Sequence, residues 1–402
     1  MHQKIFILNP FSYQYLSLPK DPYKDTEFII VADIKTKKTY YDCEYKVIFT
    51  NNFDESELIP ILNTKINSQK QSRFNFFAFS EETVPLSGLL NKYYGGLGLK
   101  NEVNNFTDKF SMRSNLKGRI EQPNFCKGSN VNQIEQILKT GSVIVKPRVS
   151  SGARGIHVLT RIEELEELYI DNNYIVEEFV EYDEMYTTDG IYNNGNIVSF
   201  HIHKYGEKIL DSIEKNDFAT VISGRPFLNE GLIQQLYKDS HFLLNQLSGL
   251  NGIFPFHIEW FFDKKRKKFI FCEAAARFGG ALIPELIAIE TGSDIKEILW
   301  NTFDGREYDK PVINNKIAAT FLGYRKNGKL TSIPSENYIT ENWVRFYKRF
   351  VLLNEKYSYS QNAVENTFLC AFEAENLNEV KLRLETIIDF HHQFNFEVGV
   401  EN

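Results

Sequence analysis

Residues 257–280 read His257-Ile258-Glu259-Trp260-Phe261-Phe262-Asp263, then Lys264-Lys265-Arg266-Lys267-Lys268, then Phe269-Ile270-Phe271-Cys272-Glu273-Ala274-Ala275-Ala276-Arg277-Phe278-Gly279-Gly280. Two apolar runs flank a basic pentapeptide, the pattern of two antiparallel strands joined by a polar turn. With the turn centred on Arg266, Phe261 faces Phe271 and Glu259 faces Glu273. Facing Cβ atoms on one side of a hairpin lie about 4.5–5.5 Å apart, so two carboxylates there repel and are costly to desolvate. A hard cation such as Mg²⁺, which takes carboxylate oxygens together with substrate phosphates, resolves that conflict. The plain alternative is two exposed glutamates, each paired with a lysine, because a one-residue slip of register would separate them. The basic run is readable as a nucleic-acid or localisation patch, or simply as a solvated turn.

Arg277 follows Glu273 by four residues and precedes two glycines expected to open a helix over 282–289. A guanidinium beside free backbone N–H groups suits developing anionic oxygen. The alternative is an arginine snorkelling from a strand end. Cys272 reads as a small buried apolar residue rather than a nucleophile.

Upstream, Ser142–Pro147 is a strand whose apolar neighbours leave Lys146 partly desolvated and in need of an anion. The loop Ser150-Ser151-Gly152-Ala153-Arg154-Gly155 is small enough to fold backbone N–H groups around phosphate oxygens. It lacks the G-x-x-x-x-G-K-[ST] spacing of a P-loop, and a plain surface turn is the alternative. Ile175–Val180 places Glu177 and Glu178 in a buried-type strand, with Glu184 soon after. An adenine needs backbone donors and acceptors at a strand edge, and a ribose needs a carboxylate.

Around these segments, Asp108–Leu116, Val131–Lys139 and Arg161–Ile170 read as helices. Tyr186–Tyr192 and Ile197–Tyr205 read as a hairpin about Asn193-Asn194-Gly195-Asn196. His201 and His203 fall on one face of the second strand, a spacing that also suits a transition metal, but no further Cys or His lies nearby. Lys204 beside them is a phosphate candidate.

The first hundred residues alternate strands (Lys4–Leu8, Glu27–Ile34, Val47–Thr50, Phe74–Phe79) with helical stretches, the order of a small parallel α/β sheet. No G-x-G-x-x-G follows the first strand. The polar stretch Thr302–Asn315, with Gly305 and Pro311, marks a boundary, and the tail beyond it is α+β in character. The expected division is 1–105, 106–205 and 206–402.

The 402 residues are 42% hydrophobic and 25% charged, an ordinary globular composition. A net charge of −7 argues against a general nucleic-acid binder. No apolar run reaches the roughly 18 residues of a membrane span, and the start does not read as a signal peptide. Four dispersed cysteines form no disulfide framework, so the expected compartment is the cytoplasm.

Taken together, these parts resemble the ATP-grasp superfamily, specifically its carboxylate–amine ligases, which include amino-acid ligases. The resemblance rests on Asp108-Lys109-Phe110-Ser111-Met112-Arg113, Val145-Lys146-Pro147 with the Ser/Gly loop, Val176–Val180, His257-Ile258-Glu259 and Cys272–Gly280, in order from about residue 75 to residue 300. It implies a mixed α/β and α+β architecture: an N-terminal α/β domain, a two-subdomain ATP-binding region with a lid, and an α+β C-terminal part. It implies that Lys109 and Lys146 bind ATP phosphates under the loop carrying Ser150, Ser151, Gly152 and Arg154. The backbone of Glu177, Glu178, Phe179 and Val180 would read adenine, and Glu184 would hold the ribose. Glu259 and Glu273 would ligate one or two Mg²⁺ ions, with Mn²⁺ as a substitute, and Arg277 would be the catalytic cation.

Three positions depart from the family pattern. Ala275 stands where an asparagine often serves as a further metal ligand, Tyr182 where a glycine is common, and Ala153 where a loop serine is frequent. The implied reaction activates a small carboxylate, an amino acid, as an acyl phosphate and passes it to an amine. The partners are then small molecules rather than nucleic acid or membrane, and a homodimer is compatible with them. Two further readings stay open: an ATP-binding protein without ligase turnover, and a ligase acting on a peptide or protein.

Overall fold

The computed structural model describes residues 3–13, 16, 18, 26–66, 72–168, 170–306, 312–339, 341–363 and 365–398. Strands β1 (Gln3–Asn9), β2 (Thr26–Asp33), β3 (Lys46–Thr50) and β4 (Arg73–Ala78) form a sheet in the order β3-β2-β1-β4, every pair parallel. Helices α1 (Glu55–Ile66) and α2 (Val84–Tyr94) cover one face, where Leu58, Leu62 and Leu90 meet Phe6, Leu8, Ile29, Val31 and Phe76. Ile5, Ile7, Phe28 and Phe77 leave the other face and join a second core. Burial on both faces explains why these strands are continuous apolar runs instead of alternating ones. Gly95, at φ +73°, ends α2 in the left-handed conformation that glycine adopts without a Cβ penalty.

After α3 (Asn104–Thr107) comes α4 (Lys109–Leu116), capped by Asp108, whose carboxylate accepts from the N–H groups of Phe110 and Ser111. The same carboxylate pairs with Arg148, and Lys109 N–H donates to the Arg148 carbonyl (2.9 Å). A second sheet contains β5 (Phe125–Lys127), β6 (Val143–Pro147), β7 (His157–Leu159) and β8 (Tyr174–Glu178), in the antiparallel order β5-β8-β6-β7. Ile134 of α5 (Val131–Leu138) packs on Cys126, Val143, Val145 and Val176 beneath it. The helix expected over Arg161–Ile170 is a 3₁₀ stretch, Ile162–Leu168.

The largest sheet uses β9 (Glu184–Asn193), β10 (Asn196–Tyr205), β11 (Phe218–Ser223), β12 (Ile253–Asp263), β13 (Lys268–Ala275) and β14 (Ile317–Tyr324). Beyond β15 (Gly328–Ser332) it takes in β16 (Val344–Arg349) and, past β17 (Lys356–Tyr357), β18 (Asn366–Ala374). Its order is β13-β12-β9-β10-β11-β14-β18-β16, with every pair antiparallel. Strands β17, β15 and β19 (Asn395–Glu397) form a small sheet beside it. The β9–β10 hairpin, placed by sequence order with the lid, therefore belongs to the large sheet. Its β9 edge carries ten residue pairs with β12, a long-range match that no local pattern announces.

Helices α6 (Ile209–Lys215) and α7 (Glu230–Ser248) precede β12, α8 (Ile283–Thr291) and α9 (Ile295–Asp304) follow β13, and α10 (Leu377–His392) follows β18. One face of the large sheet presents Tyr186, Tyr192, Phe254, Phe256, Ile258 and Trp260 to Leu236, Leu243, Leu244 and Leu247 of α7. The opposite face meets α8 and α9. Trp300 of α9 sits 5.2 Å from the rings of both Phe28 and Phe77, edge to face, and locks the N-terminal sheet onto that layer. Such ring pairs add about 0.5–1.5 kcal/mol each beyond area burial. Gly305 closes α9, and Pro311 of the expected boundary lies outside the described residues.

Candidate active site

The hairpin β12–β13 pairs Glu259 with Glu273, as the spacing predicts. Beyond them the register shifts. Trp260 faces Phe271 and Phe261 faces Ile270, so the expected Phe261–Phe271 pair does not form. The extra residue on β13 is Cys272, and a bulge of this kind leaves carbonyls outside the regular ladder. Arg113 of α4 takes them: Nη1 donates to Phe271 O at 2.9 Å and Nη2 to Cys272 O at 2.7 Å. Arg113 is 1% exposed, and its Nε and Nη2 also fork onto the Glu177 carboxylate at 3.0 and 2.9 Å. The arginine thus ties β8 of the second sheet to the bulged strand. It stands one helical turn from Lys109, and that i, i+4 spacing was its only signal in the sequence.

Glu177 also receives Lys146 Nζ at 3.0 Å. Burial works to raise its pKa, but the two cations outweigh it and hold the carboxyl down to about 2. For Lys146, burial works the other way, and the Glu177 charge keeps the ammonium above its usual value. Glu177 is therefore a clamp for two buried cations. The N–H groups of Glu178 and Phe179 donate to Asn124 O and Ser142 O, so neither is spare for an adenine edge, and any such role falls to the rest of the segment through Val180.

Lys109 Nζ lies 3.0 Å from Glu273 Oε1 and donates to Ser150 O at 2.5 Å. A predicted phosphate lysine, a predicted metal carboxylate and the first residue of the predicted phosphate loop thus meet in one place. Across that loop, Gly152, Ala153 and Gly155 all have positive φ. At +60°, Ala153 adopts a conformation that favours glycine. Gly152 O accepts from Ala363 N–H, and Arg154 pairs with Glu82 at 3.4 Å where both are half exposed.

Glu259 sits differently. Tyr205 OH donates to its Oε1 at 2.8 Å, and His257 Nε2 lies 3.6 Å from the same oxygen. Behind His257 is Asp189 of β9, 2% exposed, whose Oδ1 lies 2.7 Å from His257 Nδ1 and whose Oδ2 lies 2.9 Å from His203 Nδ1. Burial works to lower the His257 pKa, but the Asp189 carboxylate outweighs it and pushes it up to about 9. Glu290 of α8 adds a second carboxylate, 3.8 Å from His203 Nε2 and 3.9 Å from His201 Nδ1. In the sequence, Asp189 stands between Thr188 and Gly190 in β9, and no local pattern there announces the cluster.

Arg277 lies past the end of β13, and its Nε meets Glu81 Oε2 of the N-terminal unit at 2.6 Å, across 196 residues of chain. The helix expected over 282–289 forms as α8, beginning at Ile283, whose N–H bonds Gly280 O. A Cβ at Gly279 would stand 2.7 Å from His257 Nδ1 and 2.8 Å from Asp189 Oδ1, so this turn lies directly on the Asp–His pair. Lys204 and Glu184 pair with each other at 2.8 Å, and Lys264 joins Glu184 at 3.0 Å. In this arrangement the lysine placed for phosphate and the carboxylate placed for ribose satisfy one another. The basic turn is laced to acids, with Arg266 on Asp263 and Glu121 and Lys268 on Glu121.

The donor set fits Mg²⁺. Glu259 and Glu273 offer hard carboxylate oxygens on facing positions, and both side chains stay partly exposed. Ala275 offers none, so of these three positions only the two glutamates bring donor oxygens.

No family model matches the sequence. An L-arginine-specific L-amino acid ligase from Bacillus subtilis is 25% identical over 225 residues, which are 52% of this chain and 52% of that protein. The chain spans about half the length of that curated relative. The crystal structure of an L-amino acid ligase from Bacillus licheniformis superposes with a TM-score of 0.75 at 14% identity, covering 100% of this chain and 99% of that one. Phosphoribosylglycinamide synthetase from Anaerococcus prevotii gives 0.71 at 16% identity, covering 99% of this chain and 100% of that one. The four sheets in this order therefore form, over the whole chain, the fold of these two solved structures, the ATP-grasp fold that the sequence led us to expect.

Proposed function

We propose that this chain is an ATP-dependent ligase that joins a small carboxylic acid, an amino acid, to an amine. The observation that carries the reading is the convergence of Lys109, Glu273 and the Ser150 carbonyl, with Glu259 facing Glu273 across the hairpin. Cations for phosphate and carboxylates for a divalent cation stand side by side there, which is what phosphoryl transfer requires.

A carboxylate is a poor electrophile because its leaving group would be oxide. In the proposed reaction a substrate carboxylate oxygen bonds to the γ-phosphorus of ATP as the bond to ADP breaks. The amine nitrogen then bonds to the acyl carbon, phosphate leaves with the electron pair, and the amine loses a proton. Lys109 and Lys146 hold phosphate oxygens beneath the Ser150–Gly155 loop, with β5–β8 as the lid. Glu259 and Glu273 hold Mg²⁺, which supplies charge neutralisation when bound. Arg277 steadies the anionic oxygens of the acyl group. Positioning and charge, with no covalent enzyme intermediate, carry the rate.

Phosphate release over pairs of amino acids, with mass spectrometry of the products, tests the proposal. The expected result is ADP and phosphate formed in step with a condensed product. ATP hydrolysis indifferent to every carboxylate, or no turnover with any pair, overturns it.

A further inference from the structure

Glu259 and Glu273 are held by different means. Glu273 meets an ammonium, whereas Glu259 is the outer end of a series of polar contacts, hydrogen bonds and one longer ion-pair contact, running inward through the sheet. Thr187 Oγ1 donates to Asp189 Oδ2 at 2.6 Å, and His203 Nδ1 shares that oxygen at 2.9 Å. Asp189 Oδ1 bonds His257 Nδ1 at 2.7 Å, and the far nitrogen of the same ring faces Glu259 Oε1 at 3.6 Å. Tyr205 OH closes the series on Glu259 Oε1 at 2.8 Å. Strand registers produce this alignment: His257 pairs with Asp189, and Glu259 with Thr187.

A buried carboxylate among imidazoles is an expensive way to fill a core, and apolar side chains of similar volume do so at lower cost. The series also has a single outer end. Asp189 and His203 are essentially closed to solvent, while the Glu259 side chain is 23% exposed. A glutamate has three rotatable bonds, so a partner on one oxygen fixes where the other points. Among the described residues, the remaining oxygen, Oε2, receives only a thiol contact from Cys272 at 3.8 Å.

Resting on the metal reading of Glu259, we infer that Tyr205 and His257 are positioning residues: both engage Oε1, Asp189 anchors the imidazole, and Oε2 is thereby presented to the cation. Gly279 belongs to the same device, because a side chain there would strike both His257 and Asp189. Removing an outer partner of a metal ligand costs about 10–100-fold in affinity.

Binding of Mn²⁺ to the full chain, followed by the electron paramagnetic resonance signal of the free ion, reads this without turnover. Thermal unfolding in metal-free buffer is recorded alongside. Glu259→Gln is the control for the metal reading and should weaken Mn²⁺ strongly. Tyr205→Phe removes one hydroxyl and should weaken Mn²⁺ by roughly tenfold or more with unfolding little changed. His257→Gln keeps a donor toward Glu259, and His257→Asn keeps only the contact toward Asp189. A positioning role makes the Gln variant the better binder, whereas a purely structural role favours Asn or neither. If Glu259→Gln weakens Mn²⁺ while Tyr205→Phe binds as the parent does, the positioning inference is overturned and the metal reading stands. An Asn variant that matches or exceeds the Gln variant overturns the positioning inference in the same way. If Glu259→Gln itself binds normally, the metal reading falls and takes the inference with it.

Discussion

Lys109 Nζ lies 3.0 Å from Glu273 Oε1, so a cation from helix α4 and a carboxylate from strand β13 neutralise each other at the mouth of the candidate site. MgATP would give each a new partner: phosphate for the lysine, a divalent ion for the glutamate. Replacing Glu273 by Gln removes the proposed ligand of the ion and leaves Lys109 without its counter-charge. Turnover at millimolar Mg²⁺ should fall on the order of a hundredfold or more, with the unfolding transition retained. Steady-state phosphate release checks this, and an unchanged rate would remove Glu273 from the metal site.

Lys146→Ala deletes a buried ammonium beside the loop, and ATP affinity measured by calorimetry should drop with the lost charge-assisted contact. Parent-like affinity would assign Lys146 to Glu177 alone.

Glu177 is the sole carboxylate on the Arg113–Lys146 pair among the bonds described, so Glu177→Ala strands two buried cations. The expected loss is about 3–5 kcal/mol in urea unfolding. Its pKa also predicts a pH dependence. Because the folded value is held down to about 2 from the usual 4.5, its stabilisation is complete above pH 4.5 and drains away as pH falls toward 2. The parent should lose stability over that acid window more steeply than Glu177→Gln. Parallel curves for the two would show that Glu177 does not set the acid limit.

Arg277 touches Glu81 and lies just beyond the strand that carries Glu273. Arg277→Lys keeps the charge but loses the planar fork, so it should not behave as a conservative change. Both Arg277→Ala and Arg277→Lys should bind MgATP nearly as the parent does and lose about a hundredfold or more in turnover. Weak nucleotide binding with normal turnover at saturation would place the guanidinium in the nucleotide site instead.

Gly279→Ala puts a methyl group 2.7 Å from His257 Nδ1 and from Ile283 Cδ1. Overpacking of this kind costs about 1–3 kcal/mol, read as a lower unfolding midpoint. An unshifted midpoint would mean that the turn over Asp189 moves freely.

The facing glutamates were legible because period-two alternation and a polar turn are local, and they survived a bulge that the same reading missed. The parallel N-terminal sheet was legible for a similar reason, since buried strands declare themselves as unbroken apolar runs. Lys109, Lys146 and the small-residue loop were visible as parts, but nothing in their spacing said that Lys109 reaches Ser150 and Glu273 together. Only the tertiary structure decided which charge meets which. Arg113 finds Glu177 across 64 residues, Arg277 finds Glu81 across 196, and Asp189 finds His257 across 68. It also moved the β9–β10 hairpin from the lid into the large sheet, because strand partners are chosen by long-range burial. Local chemistry wrote the elements and the candidate site residues into the chain. Their pairings depend on desolvation, which exists only once distant segments close over one another.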